Sequence, residues 1–255
     1  MTAEEVYQEL EKEIIIGILR PRERLVEAEL CKKLRISRPL LREVFRRLQG
    51  AGLVILNPHR GVAVRDFTPQ EIEEVYFVRI LLEKAAVPMI MDKIDLQSLK
   101  ELKDLNHIFE EACRSHDLPA MILGDLAFHR RLSQLSGNSF LNEFLEISRL
   151  QTHQARYISW LDQERIRVSL RDHKDLLLAL ARKDLAKFEA VILKQQEACK
   201  RDYHRIFSQH RNWHINAAET PKIKNKTGNS SKRREGVKDK REISGVGKNP
   251  IHFSK

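Results

Sequence analysis

Cysteine is scarce. Cys31, Cys113 and Cys199 are the only three among 255 residues, and they lie far apart. No two have the spacing of a metal finger or a redox pair, and the odd number speaks against a disulfide framework. A reduced, cytoplasmic protein is the expectation. No run of about 18 apolar residues occurs, so no membrane span is expected. The first ten residues carry three glutamates and no apolar block, unlike a secretion signal. Strand-forming runs are almost confined to residues 53–64, so the chain should be mainly α. Hydrophobic residues make up 42% of it, enough for one large or two ordinary cores.

Charge is abundant but uneven. The net charge is +10, yet residues 211–255 alone hold 12 Lys/Arg against 4 Asp/Glu. The preceding 210 residues are close to balanced, with 34 basic against 32 acidic side chains. Within them, residues 30–65 stand out, with nine Lys/Arg and a single acid, Glu43. This local stripe points to nucleic acid better than the global charge does.

The stripe centres on Ser37-Arg38-Pro39-Leu40-Leu41-Arg42-Glu43-Val44-Phe45-Arg46-Arg47-Leu48. Ser37 is a good N-cap, because its hydroxyl can accept from an orphan backbone N–H. Pro39 falls in the first turn, where a missing N–H costs little. Leu41, Val44, Phe45 and Leu48 recur at helical spacing and predict a buried face. Arg38, Arg42 and Arg46 recur every four residues and predict a basic row suited to phosphates and base edges. An isolated helix of this kind is also compatible with a plain solvated face.

The neighbours favour the first reading. Val6, Leu10, Ile14 and Ile18 predict a helix over 4–19, closed by Pro21. A second helix over 25–34 turns at Arg35-Ile36 into the basic one, giving a helix-turn-helix. Leu53–Leu56 and Val62–Val64 flank Asn57-Pro58-His59-Arg60-Gly61, a hairpin signal. Beside a helix-turn-helix this is a wing, with Arg60 at its tip and Gly61 allowing a close turn. The DNA-binding candidates are therefore Ser37, Arg38, Arg42, Arg46, Arg60 and Gly61, in a domain over 3–66.

Thr68-Pro69-Gln70-Glu71 opens a second domain, over 67–208, with a capping box. Ile72, Val75, Tyr76, Arg79, Leu82, Glu83 and Ala86 share a stripe of its first helix. Further helices are predicted over 95–114, 117–135, 139–160, 163–182 and 184–208, with Asp95, Asp117, Ser139 and Asp184 as caps. This describes an all-helical bundle with short connections. Asp125 and His129, four apart, project from one helix face, and His173 begins another stretch. Together they make a metal-ligand candidate with open positions. The plainer alternative is a polar pocket in which Asp125 orients both histidines. Arg79 and Arg130 are candidates to meet a carboxylate, or else ordinary bundle salt bridges. From Arg211 onward periodicity stops, and low apolar content predicts a disordered basic tail over 209–255. It is either a solvated extension or a tether for non-specific DNA binding.

The ordered matches resemble a known family. Ile16-Gly17-Ile18-Leu19-Arg20-Pro21, Arg24-Leu25-Val26-Glu27, Ser37-Arg38, Leu41-Arg42-Glu43, Gly52-Leu53-Val54 and Arg60-Gly61 look like the winged helix of GntR-family bacterial transcription regulators. That resemblance implies a homodimer on a short palindromic duplex operator. Ala28, where the family commonly has Arg, and Pro39-Leu40, where it often has Thr-Pro, leave the operator sequence open. Arg79 with Glu83, Asp125, Phe128-His129, Leu132, Ser136-Gly137-Asn138 and His173 resemble the helical ligand-binding domain called FCD.

The FCD resemblance implies a small organic acid effector and Zn²⁺ or another divalent ion held by an Asp and three His. Asp125, His129 and His173 stand in three of those places. Gln195 stands in the fourth, and an amide oxygen is a harder, weaker ligand than imidazole. Gln195 is therefore counted with Arg79 and Arg130 as effector-binding. Repression released by the effector is the expected regulation. The rival from another class is a metal-dependent enzyme in which Asp125, His129 and His173 activate water; no nearby carboxylate stands out as its general base.

Overall fold

Local capping starts the chain. In the computed structural model, which describes residues 1–57 and 61–209, Thr2 caps helix α1 (Ala3–Ile15) by accepting from the Glu5 amide, while the Glu5 carboxylate accepts from the Thr2 amide. Val6, Leu10 and Ile14 are buried, as their spacing predicts. The helix ends at Ile15 rather than Leu19, because Gly17 takes φ +77°, a left-handed conformation free of Cβ penalty only for glycine.

A second departure follows. Arg24–Leu25 form a short strand, β1, so the next helix, α2 (Glu27–Leu34), starts two residues later than its apolar pattern suggests. Arg35 adopts φ 55° and makes the turn into α3 (Arg38–Gly50). Ser37 Oγ accepts from the Leu40 amide at 3.4 Å, and Leu41, Val44, Phe45 and Leu48 are buried. Phe45 is 1% exposed, and truncating such a side chain to Ala typically costs about 3–5 kcal/mol. Strands β2 (Val54–Asn57) and β3 (Gly61–Val64) pair antiparallel, with Asn57 opposite Gly61. This is the expected wing. β1 joins it through Arg24 opposite Ala63 and Leu25 opposite Val62, so the sheet order is β1-β3-β2.

The rest of the described chain is helical: α4 (Pro69–Lys93), α5 (Leu96–Ser115), α6 (Leu118–Gln134), α7 (Ser139–Gln151), α8 (His153–Ser159), α9 (Gln163–Arg182) and α10 (Leu185–Gln209). The Thr68–Glu71 capping box starts α4. Asp95, Asp117 and Asp184 accept from the amides of Ser98, Ala120 and Lys187, as expected of caps. The cap of α7 is Asn138, not Ser139. The helix expected over 139–160 is two helices, separated at Thr152 with φ −96° and ψ 7°. There the Thr152 hydroxyl donates back to the Ser148 carbonyl at 2.8 Å, a bond that competes with regular helix geometry.

One buried apolar cluster contains the winged-helix core together with Phe109, Met121, Leu150 and Trp160. A second fills the bundle among α4, α5, α6, α7, α9 and α10. Among the described residues no helix is long and apolar enough to cross a membrane. Arg60 and the basic tail beyond residue 209 lie outside the described residues.

Candidate functional site

The first site is the outer face of α3. Burial of Leu41, Val44, Phe45 and Leu48 turns Arg38, Arg42 and Arg46 outward, and all three are exposed. Arg38 has no hydrogen-bond or ion-pair partner among the described residues. Arg42 is held by Glu27 of α2, with Nε 3.0 Å from Oε1, and Arg46 Nε donates to the Arg42 carbonyl at 3.4 Å. Arg47 is turned away from the row, toward Glu4 at 2.6 Å and over the Tyr7 ring. Gly61 opens β3 with φ +83°. Ser37 is exposed; its hydroxyl accepts from the Leu40 amide in the cap and can still donate outward. The pairing of Glu27 with Arg42 did not emerge from the sequence, because the two lie 15 residues apart on different helices.

The second site is a buried polar chamber in the bundle. Asp125 and His129 of α6 and His173 of α9 come together, with one potential ligand atom from each lying within 4.8 Å of the others. All three are buried. Gly124 permits this, since a Cβ there would sit 3.1 Å from the Phe109 Cα; its absence lets α5 and α6 approach. His173 lies between Phe128 and Phe109, at centroid distances of 4.5 and 4.6 Å. Its Nδ1 is 3.0 Å from Asn106 Oδ1, and its Nε2 is 3.2 Å from Asp125 Oδ1.

These contacts bear on whether the residues fit a cation. Asn106 donates its amide N–H to Glu110, which fixes Oδ1 toward His173. A neutral His173 has one ring N–H, and Asn106 takes it at Nδ1. The Nε2 lone pair then faces a carboxylate oxygen. A cation bound by both groups removes that conflict. Both ring nitrogens of His129 are buried without a hydrogen-bond partner. The donor set is therefore suited to a divalent ion, with Asn106 orienting His173 from behind.

Arginines crowd around the cluster, each with a carboxylate within 4 Å. Arg156 Nε lies 3.5 Å from Asp125 Oδ2. Burial alone would raise the Asp125 carboxyl, but Arg156 and the two histidines together hold it well below the usual range. Arg79 pairs with Glu83 at 3.2 Å and donates to Thr152 Oγ1 at 2.7 Å. Arg149 donates to Ser133 Oγ at 3.1 Å and approaches Glu83 at 3.9 Å. Its Nε has no partner, and burial lowers its affinity for the proton. Three buried arginines, Arg79, Arg149 and Arg156, thus meet the buried carboxylates of Glu83 and Asp125 and, 3.7 Å from Arg149, the partly buried one of Glu146. The Oε1 atoms of Gln195 and Gln196 are also buried and unpartnered.

The structure places Arg79 and Gln195 in the buried interior. Arg130 is partly exposed, bridging Glu146 of α7 and Glu11 of α1. Arg149, Arg156 and Asn106 were not singled out in the sequence. Arg149 had a signal, because it interrupts the buried stripe of Leu141, Leu145 and Thr152.

Residues 2–64 match the family model for bacterial regulatory proteins, gntR family, and residues 74–215 match that of the FCD domain. The Nta operon transcriptional regulator of Aminobacter aminovorans is 30% identical over 164 residues, covering 64% of this chain and 75% of that protein. An uncharacterized HTH-type regulator of Bacillus subtilis, YdhC, is 29% identical over 76% of this chain and 82% of its own length. The galactonate operon transcriptional repressor of Escherichia coli is 26% identical over 69% and 85%. Among solved structures, E. coli McbR/YncC superposes with a TM-score of 0.72 at 22% identity, over 82% of this chain and 98% of that one. The chain belongs to the GntR family of bacterial transcription regulators: a DNA-binding winged helix followed by an FCD domain.

Proposed function

We propose that this protein is a cytoplasmic, homodimeric repressor that binds a palindromic operator and is released from it by a small organic acid. The observation that carries the DNA reading is the exposed row Arg38, Arg42 and Arg46 on a capped helix, beside a wing whose second strand begins at Gly61. Arg38 is free to make a bidentate contact with guanine, Arg42 and Arg46 supplement it from the same row, and Ser37 and Arg60 meet phosphate or groove. The repressor reading takes support from relatives named as repressors.

The acid reading rests on the buried Nε of Arg149, which has no hydrogen-bond partner, and on the two other arginines beside it. A buried donor without a hydrogen-bond partner is costly, and a carboxylate ligand beside Arg149 supplies one. Arg79, Arg149 and Arg156 are its natural partners, with Gln195 offering an amide. Arg130, already engaged by two carboxylates, is the least suited of the expected residues. Asp125, His129 and His173 would hold a divalent ion, which would add a fixed positive charge for the acid. Two recognition helices must sit at half-site spacing along the duplex. A ligand that prefers one arrangement of the helical domains therefore shifts operator affinity by linkage.

The test is selection of bound sequences from random duplexes at about physiological salt, with wild type and Arg38→Ala side by side. A palindromic motif that weakens in the variant is expected, because such an Arg–guanine pair discriminates by ~1–3 kcal/mol. No motif from either protein removes the reading.

A further inference from the structure

Helix α10 ends against the segment that joins the winged-helix head to the bundle. Tyr203, 1% exposed, donates its hydroxyl to the Phe67 carbonyl at 2.6 Å. Phe67, Ile72, Tyr76, Ile158 and Cys199 are buried around it in one apolar cluster, and Lys200 pairs with Glu73 of α4 at 3.3 Å. The end of α10 is thus tied down by packing rather than left to fray.

The same place is the root of the wing. Arg22, whose amide donates to the Val64 carbonyl at the end of β3, pairs with Asp66 at 2.6 Å, and Arg65 lies over the Phe67 ring at 4.5 Å. Chain geometry bounds the distances: Gln209 lies about 9 Å along the helix beyond Tyr203, and within about 40 Å of Gly61, where β3 begins. Had α10 run the other way, the chain would leave it about 37 Å farther from the head. The segment that follows α10 is cationic. Residues 222–241 hold nine Lys/Arg against two acids, Glu235 and Asp239, and they lie beyond the FCD match, which ends at residue 215.

We propose that residues 222–241 make a second DNA contact, delivered by α10 beside the head, and neutralise backbone phosphates of the same duplex that the head reads. The 46 residues after Gln209 have a contour of about 150 Å, several times the separation to be spanned. Once the head is on the duplex, the encounter of these cations with phosphate is intramolecular, at a high effective concentration. Counterion release then adds affinity without regard to sequence, and base preference stays with the recognition helix. A lipid surface fits less well, because only Ile223 and Val237 in this stretch are apolar, too little for a stable hold on a membrane. The inference requires only that the head bind DNA; it does not draw on the operator, repression or effector readings.

A salt series on the full chain tests this. Wild type and a full-length variant with the nine Lys/Arg of 222–241 replaced by Gln are titrated against a long random-sequence duplex. The variant should bind roughly ten- to a hundredfold more weakly at about physiological salt, and its plot of log affinity against log salt should be shallower by about 3–5. Lys232→Gln, Arg233→Gln and Arg234→Gln together should give about a third of that change in slope; this smaller variant decides the matter if the larger one unfolds at a lower temperature than wild type. Any motif selected from random duplexes should be the same for both proteins. If neither selects one, the operator reading fails while the slopes still decide this inference. Equal affinities and equal slopes would overturn it. So would equal slopes on DNA together with wild-type binding to phosphatidylglycerol vesicles at the same salt, which would assign the segment to lipid.

Discussion

Glu27 grips Arg42: Nε lies 3.0 Å from Oε1 and Nη2 lies 3.1 Å from Oε2. The guanidinium of a recognition-helix arginine is thereby pre-oriented, with a carboxylate beside it before DNA arrives. A carboxylate at this position sharpens geometry and opposes phosphate.

Glu27→Gln should therefore strengthen binding to random duplex DNA by roughly two- to fivefold and steepen its salt dependence. Discrimination between a selected operator and random DNA should fall at the same time. Affinities measured across a salt series check both. Equal affinity for random DNA in the two proteins would mean that the pair breaks at no cost on binding.

The chamber predicts metal-linked stability. Zn²⁺ at 100 times its dissociation constant should raise the unfolding free energy by about 2.7 kcal/mol. His173→Ala should abolish that rise. Asn106→Ala should weaken binding by roughly 10- to 100-fold, through loss of ring orientation. Calorimetry with added Zn²⁺ and with chelator reads each, and an undiminished rise in the His173 variant removes these ligands.

Phe77, Val78 and Leu81 on α4, with Phe140 and Phe144 on the adjoining α7, are each more than half exposed. Patches of this kind mark association surfaces. Leu81→Glu with Phe144→Glu should give a monomer of unchanged helicity that loses most operator affinity. Sedimentation decides the matter, and a persisting dimer would place the interface elsewhere.

Burial pushes the His153 imidazole down to about 4, against a hydrogen-bonding contact with the Leu150 carbonyl that favours the proton. The folded protein keeps this ring neutral where the unfolded chain, at about 6.5, takes a proton. Stability from this group is therefore full above pH 6.5 and is lost as pH falls toward 4. The shift corresponds to roughly 3 kcal/mol. Between those pH values, wild type should lose that much more stability than His153→Leu. Parallel pH profiles in denaturant titrations would show that His153 is not the group responsible.

Much of the architecture is legible in the amino-acid sequence. Ser37, Thr68 and Glu71, Asp95, Asp117 and Asp184 act on amides within three residues of themselves, so local chemistry sufficed to start those helices. Buried faces such as Leu41, Val44, Phe45 and Leu48 follow from period alone, and so does the outward arginine row. The break at Thr152 was not legible, because the apolar period runs on through it. Neither was β1, two residues whose strand character exists only through pairing with Ala63 and Val62.

The sequence by itself determined the winged helix, the helical bundle, the basic face of α3 and the convergence expected of Asp125, His129 and His173. These depend on spacing along one helix or on an ordered set of motifs. Only the tertiary structure decided that Glu27 holds Arg42, that Arg149 and Arg156 enter the chamber while Arg130 bridges to α1, and that Tyr203 holds the end of α10 to Phe67. Each is a meeting of side chains distant in the chain, and such pairs are selected by packing and by the cost of leaving a buried charge unpaired, neither of which is written in the local pattern.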